Sequence, residues 1–110
     1  MSTEGTIQHH IQAYAVGVSE LMSDYTGESI ILTSDGTVVG GDALEPFFED
    51  LLAAMPDGFN DAFEVVQLAT HGPLAVMVWK AEPWVSAGTN TFVVQDDAIL
   101  YQTYAGHRPA

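Results

Sequence analysis

The side chains of this chain best suited to chemistry are His10 and Asn90, with Tyr14, Thr33, Trp79, Phe92 and Tyr101 as candidate contacts for a bound molecule. His10 and Tyr14 lie one turn apart on one stripe of a helix, close enough to share a ligand or to touch each other. His10 is the one evident acid or base with a near-neutral pKa on a core-facing surface. Its functional reading is proton transfer or hydrogen-bond donation; its structural reading is a core histidine satisfied by a backbone carbonyl or water. Asn90 is a polar amide between apolar strand neighbours. It needs hydrogen bonds, and a ligand, a water or Thr103 opposite could supply them. Trp79 shares a strand face with Ala75 and Met77, as an aromatic pocket wall or as ordinary core, and leaves Lys80 and Glu82 on the other face.

Other candidates carry less. His71 falls in a Gly-Pro turn and His107 near the end of the chain, both as solvated residues. Asp96-Asp97 lacks the long ligand loop of a calcium site. No His and carboxylate spacing marks a transition-metal site, and no cofactor is implied.

The elements that position these residues are legible from periodicity. Ser2 or Thr3 can cap a first helix with the stripe Ile7, Ile11, Tyr14 and Val18, and Gly17 offers its stop. Ser19 starts a short second helix through Leu21, Met22 and Tyr25, broken at residues 26–28. Residues 29–33 form a strand, Ser34-Asp35-Gly36 a turn, and residues 37–39 a short partner. Asp42 and Glu45 resemble a capping box, and Leu44, Phe47, Phe48, Leu51, Leu52 and Met55 give the strongest amphipathic helix, closed by Pro56-Asp57-Gly58. From Phe59 onward the pattern is all strand: residues 63–70, 74–82, 89–95 and 98–104. In the last hairpin a two-residue loop at Asp96-Asp97 pairs Val94 with Ile99, Phe92 with Tyr101 and Asn90 with Thr103. A slip of one residue would bring Thr91, Gln102 and Tyr104 inside. Both faces of this hairpin are substantially apolar, so one covers a core and the other meets a second layer or subunit.

Composition narrows the partners. Fifteen Asp and Glu oppose two basic residues, Lys80 and Arg108, for a formal charge of -13. Such a surface repels a phosphate backbone, which argues against nucleic acid, and offers few anchors to an anionic ligand. A neutral ligand is therefore expected. There is no cysteine, so disulfides and thiol chemistry are excluded. The apolar runs fall short of the roughly 20 residues of a membrane span, and the N-terminus lacks the pattern of a signal peptide. The expectation is a single cytoplasmic domain spanning residues 1–110.

The element order, with the phrases Ala13-Tyr14-Ala15-Val16-Gly17, Leu21-Met22-Ser23-Asp24-Tyr25-Thr26, Asp35-Gly36-Thr37-Val38-Val39-Gly40 and Thr91-Phe92-Val93-Val94-Gln95-Asp96, resembles the nuclear transport factor 2-like superfamily, in its SnoaL-like and ketosteroid-isomerase-like branch. The resemblance implies an α+β cone, a strongly curved mixed sheet wrapped around a long helix, with an internal pocket and a homodimer formed through the outer face of the sheet. It also implies where isomerase residues would fall. The hydrogen-bonding tyrosine falls at His10, the general-base aspartate at Thr33, and the protonated acid at Asn90 or Thr91. Thr33 cannot take a proton near neutral pH, so isomerisation of ketosteroids is not expected. The Asp and His dyad of the dehydratases and the Asp-Arg-Asp group of the epoxide hydrolases are absent from the sequence. Two functions follow as expectations. One is a pocket protein for a neutral, largely apolar molecule, with cofactor-free isomerase, cyclase or dehydratase chemistry open to it; the other is a non-catalytic dimerisation or interaction module.

Overall fold

A computed structural model of the chain describes residues 2–107; Arg108, one of the two basic residues counted above, lies outside them. Helix α1 runs Thr3–Ala13. Ser2 is its cap, its side-chain oxygen accepting the Gly5 N–H at 2.9 Å and satisfying one of the orphan donors of the first turn. The expected stripe is real: Thr6, Ile7, His10 and Ala13 are buried and Ile11 and Tyr14 partly so.

Helix α2 (Val18–Met22) is shorter than its sequence signal. Tyr25, expected to end it, instead begins strand β1 (Tyr25–Thr33). The last strand takes these residues over: Ile99 N–H bonds the Asp24 carbonyl at 2.7 Å, and Tyr25 sits opposite Ile99. Strand β2 (Val38–Gly40) follows the expected turn. The capping box at Asp42 does not form, because a 3-10 turn, Gly41–Ala43, carries the chain into helix α3 (Leu44–Ala54) and puts Ala43 at the cap. A further short helix, α4 (Phe59–Ala62), which the all-strand reading from Phe59 onward did not include, precedes the strand expected at residues 63–70. Gly58 makes that bend possible, with φ at 87° in the left-handed region.

Strands β3 (Phe63–His71), β4 (Leu74–Ala81), β5 (Val85–Gln95) and β6 (Ala98–His107) complete the fold. The sheet order is β2-β1-β6-β5-β4-β3, with β1 and β6 parallel and every other pair antiparallel. It is strongly curved without closing, the α+β architecture expected from the sequence. Interruptions of register bend it, between Val65 and Gln67 against β4, between Trp79 and Ala81 against β5, and between Val93 and Val94 against β6. A close approach tightens the curve at Gly88, opposite Trp79, where any side chain would overlap the indole. The concave face carries Ile31, Ala75, Met77, Phe92 and Ile99 against Ile7, Leu21, Leu44 and Phe48 from the helices. Among the described residues no helix is long and apolar enough to cross a membrane.

Candidate functional site

The site begins with His10, which α1 turns onto the concave face of the sheet and which is 1% exposed. Three rings meet it edge-on: Tyr14 at 5.1 Å, Tyr25 at 5.5 Å and Phe92 at 5.9 Å between centroids. Its Nε2 lies 3.3 Å from the Tyr25 hydroxyl, which donates to Gln102 Oε1 at 2.5 Å. Tyr25 has one hydroxyl proton, and Gln102 receives it. His10 must therefore supply the Nε2–H of its contact with Tyr25, which leaves Nδ1 as a lone pair.

That lone pair faces Asp24. Nδ1 is 3.4 Å from Asp24 Oδ2, and both atoms, with Thr6 Oγ1 one turn earlier, are buried without a hydrogen-bond partner among the described residues. Burial lowers the pKa of His10, against the pull of Asp24, and pushes that of Tyr25 well up. The other oxygen of Asp24 lies 2.7 Å from His9 Nδ1, and His9 Nε2 lies 2.6 Å from Glu20 Oε2. A continuous chain of polar side chains thus runs from Glu20 at the surface through His9, Asp24, His10 and Tyr25 to Gln102 on β6.

Asn90 and Trp79 form a second unit. The indole N–H donates to Asn90 Oδ1 at 3.1 Å, a partner that none of the three sequence alternatives named. The indole stacks on Tyr104 at 6.2 Å and packs against Phe63 at 5.1 Å and Phe59 at 6.3 Å.

Two candidate contacts lie elsewhere. Tyr101 was expected opposite Phe92 on the concave face; it is half exposed on the convex face, opposite Val93. The cause is a β-bulge. Val94 pairs with Ile99 as expected, but Val93 then pairs with Tyr101, so Leu100 is extra, and the remainder of β6 changes face relative to the expected register. Gln102 and Tyr104 face Phe92 and Asn90 instead. Thr33 ends β1 with its hydroxyl engaged by the Asp35 side chain in the turn. Its donor is thus committed within the turn.

Tyr14 is the one candidate residue that lines the cleft at the end of α3. It lines a cleft of about 310 Å³ with Leu52 and Met55 at the end of α3, Phe59 on α4, and Asp57 and Asp61 beside them. No protein group among the described residues hydrogen-bonds its hydroxyl. Burial, helped by Tyr104 nearby, raises its pKa, so the phenol is a neutral donor. His10, Trp79, Asn90 and Phe92 do not line the cleft. Among the described residues no group of three His, Asp or Glu is placed to hold a metal ion.

Sequence reading missed His9, Glu20, Asp24 and Tyr25, and placed Gln102 inside only in the alternative register. Only the adjacent pair His9-His10 offered a signal, since a helix turns the two rings to different faces.

The cone around a long helix defines the nuclear transport factor 2-like fold in its SnoaL-like form, which the comparisons bear out. An NTF-2-like protein of unknown function from Burkholderia xenovorans superposes with a TM-score of 0.79 at 17% identity, over 98% of this chain and 84% of that one. A SnoaL-like protein of unknown function from Burkholderia thailandensis gives 0.78 at 11% identity, over 96% and 94%. A de novo designed protein with a curved β-sheet gives 0.75 at 12% identity, over 96% and 84%. At these identities the likeness shows the fold. No family model matches the chain, and no curated protein does.

Proposed function

We propose that the protein binds a neutral, largely apolar small molecule in the cleft at the end of α3, with Tyr14 as its hydrogen-bonding contact. The fold's relatives often bind small molecules. The observation that carries the reading is the cleft itself, about 310 Å³ with Leu52, Met55 and Phe59 around a phenol whose hydroxyl has no hydrogen-bond partner among the described residues. Asp57 and Asp61 beside it disfavour an anion. In this reading His10 supports Tyr14 from beneath and does not exchange a proton with the ligand, since it is sealed under three rings. Asn90 holds Trp79 in the same way, and Trp79 and Phe92 form the wall behind. Native mass spectrometry of the purified protein, followed by thermal-shift screening of neutral ring compounds, tests it. Compounds that stabilise the wild type and fail to stabilise Met55→Trp, which fills the cleft, support it; stabilisation equal in both proteins refutes it.

A second reading concerns the convex face. Ile30, Tyr101, Val93 and Leu74 are successive partners across four strands, and Leu32, Val38 and Val76 are exposed beside them. So broad an apolar row supports a homodimer formed through the sheet.

A further inference from the structure

We propose that His9 is a proton-operated latch that ties α1 to α2 and to the start of β1. Its two ring nitrogens each face a carboxylate at hydrogen-bond distance, Glu20 of α2 at 2.6 Å and Asp24 ahead of β1 at 2.7 Å. A neutral imidazole has one N–H, so it can donate to only one of them and turns a lone pair on the other; the imidazolium donates to both. The geometry therefore selects the charged form.

Nothing else nearby among the described residues does the same work. Among the described residues the charged and titratable groups facing His9 are Glu20, Asp24 and, on its own helix, His10. Lys80 is on β4, 3.9 Å from Glu64. His10 cannot replace His9 as the counter-ion of Asp24, because burial keeps it neutral and its proton is committed to Tyr25. Removing the proton from His9 would leave Asp24, with a side chain 5% exposed, as a carboxylate without a cation among the described residues.

The sign follows from the two histidines separately. The bond to Glu20, then that to Asp24, raises the pKa of His9 above its ordinary 6.5. Its contribution to stability is complete below 6.5 and disappears as pH rises through the folded value. His10 is lowered from 6.5 by burial, so its contribution is complete above 6.5 and disappears as pH falls. The latch accordingly opens on the alkaline side, where His10 is silent.

The test is the melting temperature of the wild type and His9→Gln from about pH 7 to about pH 9.5 at constant ionic strength, with nitrogen-15 NMR of the His9 ring. The expected result is a wild-type melting temperature that falls through this window, a flat profile for His9→Gln, and an imidazolium spectrum for His9 at pH 7. Equal slopes for the two proteins, or a His9 that titrates at or below 6.5, would overturn the proposal. Should His9→Gln not fold, Glu20→Gln removes one half of the clamp at a side chain 43% exposed. The His9 midpoint must then drop, and an unmoved midpoint would refute the latch.

Discussion

Trp79 and Asn90, neighbours on β4 and β5, satisfy one another: the indole N–H donates to the amide oxygen across 3.1 Å, and both residues are 7% exposed. The polar amide that looks out of place on an apolar strand is there because the largest ring in the core needs an acceptor. Asn90→Leu should cost about 1–3 kcal/mol, the penalty of leaving that N–H buried and unpaired. In the background of Trp79→Phe the same change should cost about 1 kcal/mol less. Urea unfolding of the four proteins measures the coupling, and strictly additive costs would remove the pair from the account.

Gln102 controls the proton on His10. It takes the Tyr25 hydroxyl proton, which obliges His10 to carry its own on Nε2 and to show Asp24 a lone pair. Gln102→Leu frees Tyr25 to donate to Nε2, so the His10 proton should move to Nδ1 and hydrogen-bond Asp24. The nitrogen-15 shifts of the ring distinguish the two tautomers, and an unchanged spectrum would contradict this accounting.

The hairpin turn between β5 and β6 places both Asp96 and Asp97 at positive φ, 52° and 64°. This is the turn whose twist suits a two-residue hairpin, and aspartate tolerates it where β-branched residues do not. Asp96→Val should lower stability by about 1–2 kcal/mol, and Asp96→Gly should not lower it; thermal unfolding compares them.

On the convex face, a charge placed in the apolar row should act on assembly before it acts on folding. Tyr101→Lys should halve the solution mass of a dimer, measured by light scattering, while leaving the circular dichroism spectrum unchanged. A wild type of monomer mass would dispose of the dimer reading.

Much of the architecture could be read from periodicity. The stripe of α1 put His10 inside, the spacing from Leu44 to Met55 gave the long helix, and Asp96-Asp97 gave the last turn. What could not be read was non-local. A bulge at Leu100 leaves no mark on composition, yet it moved Tyr101 out and Gln102 and Tyr104 in. Tyr25 reads as helical until β6 pairs with it, and Asp42 reads as a cap until the preceding turn takes it up. His9 lay off the apolar stripe. Its role depends on Glu20 and Asp24, which only the fold of α2 beneath α1 brings to it.

The parallel pairing of β1 with β6 has a consequence for how the chain acquires its shape. Tyr25 meets Ile99 and Ile30 meets Tyr101, contacts separated by about two thirds of the sequence. The hairpins β3-β4, β4-β5 and β5-β6 are each local and can form early. The β1-β2 hairpin gains its place in the sheet only when β6 exists. Such long-range closure slows folding. During synthesis β1 and β2 therefore wait for their place in the sheet until β6 has emerged.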